Sequence, residues 1–168
     1  AELRKIKQRD RKPFALMFRS IKEAKKYVNI DNKEEHLLLS WQRPIVLLTS
    51  KKKITIGIAD GLNSLGIMMP YLPFHHLLFE ALDTPALVLT SGNFSNEPIV
   101  ILNAVAHELF ENILTGIISY NREIFNRNDD SVAMVINGKA QSLRRSRGYA
   151  PAPIRTQMNT EGIFAAGA

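Results

Sequence analysis

The sequence predicts an α/β (α+β) domain: a mixed sheet of parallel and antiparallel strands with flanking helices. Three observations predict it. Short apolar runs closed by turn residues recur along the chain and alternate with segments of helical spacing. Asn137-Gly138 lies between two β-type runs, which demands at least one antiparallel hairpin. Pro85 and Ser91-Gly92-Asn93 bracket the apolar run Ala86–Leu89, which reads as a strand buried on both faces, as in a partly parallel sheet.

In chain order, Leu3 to Arg9 reads as a helix closed before Lys12-Pro13, because a residue preceding proline avoids the α region. Phe14 to Phe18 is a short buried strand. Ser20 and Glu23 make a capping-box pattern, and Ile21, Ala24, Tyr27 and Val28 keep helical spacing behind it. Asn32 and Glu35 repeat that start signal for a helix over Lys33 to Leu39, and Trp41 is expected to pack on the core. Strands follow at Pro44–Leu48 and Leu65–Met69, with Lys51-Lys52-Lys53 as a solvated turn between them. Phe74 to Leu82 is a strongly apolar helix. After Ala86–Leu89 and its loop to Pro98 comes an amphipathic helix from about Asn103 to Leu114. Ile117–Tyr120 is a further strand candidate. Ser131–Ile136 and Ala140–Leu143 are the arms of the Asn-Gly hairpin, and Tyr149 to Pro153 is extended.

A chain of 168 residues with 45% hydrophobic and 23% charged content supports one domain with a real core. It has no cysteine, which excludes disulfides, thiol nucleophiles and thiolate metal sites. No apolar run reaches the roughly 18 residues of a membrane span and no signal-peptide pattern opens the chain, so no membrane partner and a cytoplasmic location are expected. The net charge of +6 is unevenly spread. Residues 1–12 hold six Lys/Arg against Glu2 and Asp10, and residues 139–155 hold five Lys/Arg and no acid. The remaining 11 Lys/Arg face 14 Asp/Glu, so the body is mildly acidic. Two basic segments on such a body point to a local anion site.

Four stretches carry candidate chemistry. Thr90-Ser91-Gly92-Asn93 ends a strand in two hydroxyls, a glycine and an amide, groups that cradle anions; an ordinary strand-to-loop turn has a similar composition. Lys7, Arg9 and Lys12, in the pattern K-x-R-x-x-K-P, can converge on one polyanion, with arginine adding bidentate geometry. In Arg144-Arg145-Ser146-Arg147 successive side chains alternate faces, so at most two of the three arginines reach one ligand. Asp129-Asp130, beside Ser131, can hold magnesium or simply cap a turn. His75-His76 is not a metal pair, since helix neighbours point about 100° apart. There is no Walker motif, dinucleotide fingerprint or G-x-S-x-G elbow.

Taken together, K-x-R-x-x-K-P-F-A-L-M, R-P-I-V-L-L, L-G-I-M-M-P-Y-L-P-F-H-H-L-L, L-T-S-G-N, N-R-x-D-D-S-V and L-R-R-S-R-G-Y-A-P resemble the YrdC-like domain of the HypF hydrogenase-maturation family. They run from Leu3 to Pro153. The resemblance implies a twisted α/β sheet around a basic cavity. It implies that ATP activates carbamate to carbamoyl-adenylate with release of pyrophosphate, and that the carbamoyl group passes to the partner HypE for the cyanide ligands of nickel–iron hydrogenase. By motif position it gives Lys7, Arg9 and Lys12 to the phosphates, and Ser91 and Asn93 to the nucleotide. Ser131 and Arg144 or Arg145 fall on later nucleotide- and substrate-contacting positions. Residues 1–155 are then the domain, and 156–168 a linker and the start of the next domain of a longer polypeptide. The family's K-G-x-G-G-x-H-L segment would precede Ala1, and Tyr120-Asn121-Arg122 stands where the family has H-D-R. Two alternatives compete. One is a threonylcarbamoyl-adenylate synthase for transfer RNA modification, whose R-x-P element is here Met68-Met69-Pro70. The other is a module binding double-stranded RNA through its basic segments.

Overall fold

The computed structural model describes residues 2–9, 12–51, 57–154, 157 and 161–162. Its eleven elements run α1 (Glu2–Lys7), β1 (Ala15–Phe18), α2 (Ile21–Ala24), α3 (Asn32–Leu39), β2 (Ile45–Thr49), β3 (Ser64–Met68), α4 (Pro73–Ala81), β4 (Ala86–Leu89), α5 (Asn103–Phe110), β5 (Val132–Ile136) and β6 (Lys139–Arg144). The strands form one six-stranded sheet in the order β4-β1-β3-β2-β5-β6. The β1–β3 and β2–β5 pairs are parallel, and the β1–β4, β2–β3 and β5–β6 pairs are antiparallel. The expected mixed sheet is therefore present. Asn137 and Gly138, with φ of 50° and 71°, turn the hairpin with the positive values that a twisted two-residue loop requires.

Because strand side chains alternate, the sheet has two unlike faces. One carries Leu16, Phe18, Val46, Leu48, Leu65, Ile67 and Ala133, packed on Ala24 and Val28 of the α2 region and on Leu37 and Leu38 of α3. Each large side chain fully buried there contributes about 1.5–3 kcal/mol. α2 starts where Ser20 accepts the Glu23 amide hydrogen. The cap of α3 lies one residue before the predicted one: Asp31 and Glu34 form the reciprocal box, displacing Asn32 and Glu35 from that role. The opposite face holds only a small cluster of Met17, Met68 and Phe79, where α4 closes one end of the sheet. The rest of that face is open.

Other expectations change. β4 is not buried on both faces: it is an edge strand, antiparallel to β1, with Val88 exposed. A continuous apolar run does not tell a central strand from an edge one whose outer face is only partly covered. Trp41 does not pack on the core; it is 78% exposed in the turn after α3. Ile117–Tyr120 forms no strand, and Ile118 and Tyr120 are exposed. Residues 149–151 turn instead of continuing extended, with the Tyr149 and Ala150 amides both donating to the Ser146 carbonyl. Lys51 donates to the Lys25 carbonyl, and Lys52 and Lys53 lie outside the described residues. So does most of the expected linker at 156–168. No helix among the described residues is long and apolar enough to cross a membrane.

Candidate nucleotide site

The open face of the sheet is the floor of a cavity of about 650 Å³. Ala15, Ile45, Leu47, Ser64, Gly66, Met68, Leu89 and Val132 line it. Gly66 keeps the floor low: a Cβ there would stand 3.0 Å from Ile45 Cγ2 and 3.8 Å from the Ala15 backbone. Four segments far apart in sequence form the walls: the turn after α1, the loop after β4, the approach to β5 and the exit from β6.

The first wall brings Arg9 and Lys12 into the cavity. Arg9 lies over the Phe14 ring at 5.0 Å, with Arg4 over the same ring at 4.9 Å. One Arg9 nitrogen donates to the Pro13 carbonyl at 2.7 Å, and another approaches the Thr90 hydroxyl at 3.4 Å. Its Nε is buried without a hydrogen-bond partner among the described residues. Burial, then Arg4 and Arg144, disfavours the charged form of Arg9 and lowers its pKa. A buried N–H left unpaired is costly, so it points to an acceptor that enters from outside.

Lys7 behaves differently. It is 6% exposed, does not line the cavity, and directs its ammonium at the loop after β4. It donates to the Ser91 carbonyl at 2.8 Å, to Asn93 Oδ1 at 2.7 Å and to the Asn93 carbonyl. Ser91 Oγ donates to Asn93 Oδ1 at 2.7 Å, the Asn93 side-chain amide donates to the Glu97 carbonyl at 2.6 Å, and Ser95 Oγ donates to the Lys7 carbonyl. Lys7 and Asn93 therefore build the loop, while Thr90 and Ser91 present its cavity side. Burial and the neighbouring Arg9 lower the Lys7 pKa.

On the far wall, Arg144 and Arg147 line the cavity and Arg145 does not. Arg145 donates to the carbonyls of Tyr149 and Ala152. Arg144 Nε donates to the Asp130 carbonyl at 2.7 Å, and its guanidinium stands 3.8 Å from Asp129. Ser131 is fully buried: its hydroxyl donates to the Arg147 carbonyl and accepts from the Ser146 amide, tying the start of β5 to the turn after β6. Asp129 and Asp130 both border the cavity, yet they are not arranged as a pair for one cation. Asp130 is taken by Arg147 at 2.8 Å, leaving Asp129 beside Arg144. No group of three metal-ligating side chains occurs among the described residues. The residues thus fit a turn and cap better than a two-carboxylate magnesium site.

Arg147 is the second of the three arginines to line the cavity; Tyr71, His75 and Asn128 line it too, and nothing in the sequence marks those three as ligand-binding. Tyr71 and His75 look like ordinary helix-start residues in the sequence. Arg9, Lys12, Thr90, Ser91 and Arg144 thus meet in one concave space, with Lys7, Asn93, Ser131 and Arg145 in the surrounding framework.

A mixed sheet with helices on one face and a cation-lined hollow on the other defines a class. The chain belongs to the Sua5, YciO and YrdC family, whose family model, described as "Telomere recombination", matches residues 1–146. Within it the likeness is to the YrdC-like domain of the HypF carbamoyltransferases. Carbamoyltransferase HypF of Synechocystis sp. is 40% identical over 162 residues, which is 95% of this chain and 21% of that protein. Carbamoyltransferase HypF of Rhizobium leguminosarum bv. viciae is 39% identical, over 99% of this chain and 23% of its own length. The chain thus spans about a fifth of the length of these relatives. A crystal structure of full-length HypF in its phosphate- and nucleotide-bound form superimposes with a TM-score of 0.87 at 50% identity, over 91% of this chain and 24% of that one. Sua5 of P. abyssi complexed with L-threonine shares the fold, with a TM-score of 0.72 at 19% identity, over 86% of this chain and 43% of that one.

Proposed function

We propose that this domain binds ATP in the cavity and activates carbamate. A carbamate oxygen attacks the α-phosphorus, the bond from that phosphorus to the β-phosphate oxygen breaks, and carbamoyl-adenylate and pyrophosphate result. The reaction needs no protein nucleophile. It needs alignment of the reactants and stabilisation of charge on the phosphates and the departing pyrophosphate.

The observation that carries the reading is the convergence of Arg9, Lys12 and Arg144 with the Thr90–Ser91 loop in one hollow, where the Arg9 Nε has no partner among the described residues. Cations gathered in a concave space of this volume suit a small polyanion better than the broad face of an RNA duplex. The relative solved in a phosphate- and nucleotide-bound form supports the same ligand class. With most of the length of its relatives outside this chain, the steps on either side rest on the rest of such a polypeptide: release of carbamate from carbamoyl phosphate beforehand, and transfer of the carbamoyl group to HypE in hydrogenase maturation afterwards. Asp129 is the carboxylate left to share a magnesium ion with the phosphates, and no step is assigned to that ion.

Titration calorimetry with ATP, AMP and a short RNA duplex, together with exchange of labelled pyrophosphate into ATP in the presence of ammonium carbamate, tests this. Saturable ATP binding that weakens at least tenfold in Arg9→Ala is the expected result. Binding of the duplex with no binding of ATP would overturn the proposal.

A further inference from the structure

α4 closes one end of the cavity, yet few contacts hold it there. Phe79 is its one buried side chain, packed with Met17 and Met68, while Phe74, Leu77 and the flanking Leu72 and Leu82 are exposed. No side chain caps its first turn. At that end His75 Nδ1 accepts the Tyr71 backbone N–H at 3.4 Å, and the two rings meet edge-on at 4.6 Å between centroids. Both residues line the cavity.

The other end of α4 lacks what a helix terminus needs. The last carbonyls of a helix have no partner within it and carry partial negative charge, which a cation offsets and an anion aggravates. α4 has no basic residue in its last turn, and Glu80 and Asp83 stand at its end instead. The missing cation comes from β1. Arg19, the residue after that strand, sends one terminal nitrogen with its two hydrogens to the carbonyls of Phe79 and Leu82. Its guanidinium lies 5.9 Å from the Phe79 ring centroid, and its backbone N–H donates to the Pro85 carbonyl at 2.9 Å. One residue therefore staples both ends of the connection between α4 and β4, from a position that does not line the cavity.

From this staple and the sparse packing of the helix, we infer that Arg19 is a positioning residue: by tying the last turn of α4 to β1 and to the start of β4, it sets the helix on the sheet and fixes where Tyr71 and His75 stand. Phe79 follows His75 by one helical turn, about 6 Å along the axis, so a tilt released at the Phe79 carbonyl reaches the imidazole. A residue that only capped the helix would keep its last turn from fraying and leave His75 in place. The inference goes beyond the proposed adenylation and holds whatever the cavity binds.

Amide exchange and an NMR titration of the histidine rings separate the two roles, measured on the unsubstituted protein, Arg19→Ala and Arg19→Lys, with His75→Gln identifying the His75 signal. Burial, then His76 and Arg147, lowers the His75 pKa from the ordinary 6.5, so its midpoint reports where the ring stands. In Arg19→Ala, exchange across residues 74–82 should quicken about tenfold and the His75 midpoint should rise towards 6.5, with the signals of His36 on α3 and His107 on α5 unmoved. A loss of stability alone does not move the midpoint of a ring in the folded state. Arg19→Lys, whose ammonium can donate to the same two carbonyls, should restore most of both effects. Where circular dichroism shows Arg19→Ala to be unfolded, Arg19→Gln, which keeps a stem beside Phe79 without the charge, gives the same two readings. Faster exchange confined to residues 79–83 with an unmoved His75 midpoint makes Arg19 a cap and overturns the inference, as does unchanged exchange. No nucleotide enters the experiment, so either failure leaves the proposed adenylation standing.

Discussion

Replacing Lys7 with methionine tests whether this lysine builds the site or touches the ligand. The ammonium has three hydrogens, and all three have oxygen partners in the loop after β4: the Ser91 carbonyl, the Asn93 carbonyl and Asn93 Oδ1. Hydrogen bonds to a charged group contribute about 1.5–3 kcal/mol each, but three that share one head are not additive. Opposing them are the cost of burying the ammonium and the repulsion from Arg9, the two causes that lower the Lys7 pKa. Methionine keeps the stem packed, removes those penalties and leaves three loop oxygens short of a donor. Asn93 Oδ1 retains the Ser91 hydroxyl, so two carbonyls suffer most. A net loss of about 2–3 kcal/mol is expected in urea unfolding, with amide exchange accelerating across residues 91–97. Affinities for ATP and AMP should fall together, because the loop that both would meet has lost its anchor. Unchanged stability with a loss confined to ATP would refute this reasoning and place the ammonium on the outer phosphates.

Two further outcomes follow from individual side chains. Trp41 is the sole tryptophan and is exposed, so the native protein should show a red-shifted, readily quenched emission; Trp41→Ala should change stability by no more than about 0.5 kcal/mol, and a blue-shifted native spectrum would contradict its placement. His75 has a folded-state pKa below the ordinary 6.5, so the unfolded chain binds the proton more readily than the folded one. Its contribution to stability is complete above pH 6.5 and is lost as the pH falls through the folded-state value. His75→Gln should flatten that part of an unfolding-versus-pH curve, and an identical curve for the variant would count against it.

Much of the secondary structure was legible because it is dictated locally. The cores of β1, β2, β3 and β4 coincide with apolar runs closed by prolines or small polar residues, and the β5–β6 hairpin follows from the left-handed conformations that Asn137 and Gly138 accept. The absence of cysteine excluded whole classes of chemistry, and the two basic segments both supply residues that line the cavity. Ile117–Tyr120 and Trp41 failed for one reason: an apolar side chain is evidence for burial only if another element arrives to cover it, and among the described residues none does so here.

What the sequence by itself determined was the supply of strands, helices and cations; what only the tertiary structure decided was which way they face. Alternation along β6 puts Arg144 and Arg145 on opposite sides, but it leaves open which side is the cavity. The turn that follows brings Arg147 back beside Arg144, through the Ser131 hydroxyl that holds the Ser146 amide. Lys7 and Arg9 stand two residues apart in one basic run, yet one ammonium is buried under a loop and one guanidinium opens into the cavity. Tyr71 and His75 came to line the cavity only when α4 closed the end of the open sheet face. Local patterns encode conformation over a few residues, whereas a binding site is assembled from contacts up to a hundred residues apart, such as Arg147 with the carbonyls of Gln42 and Arg43.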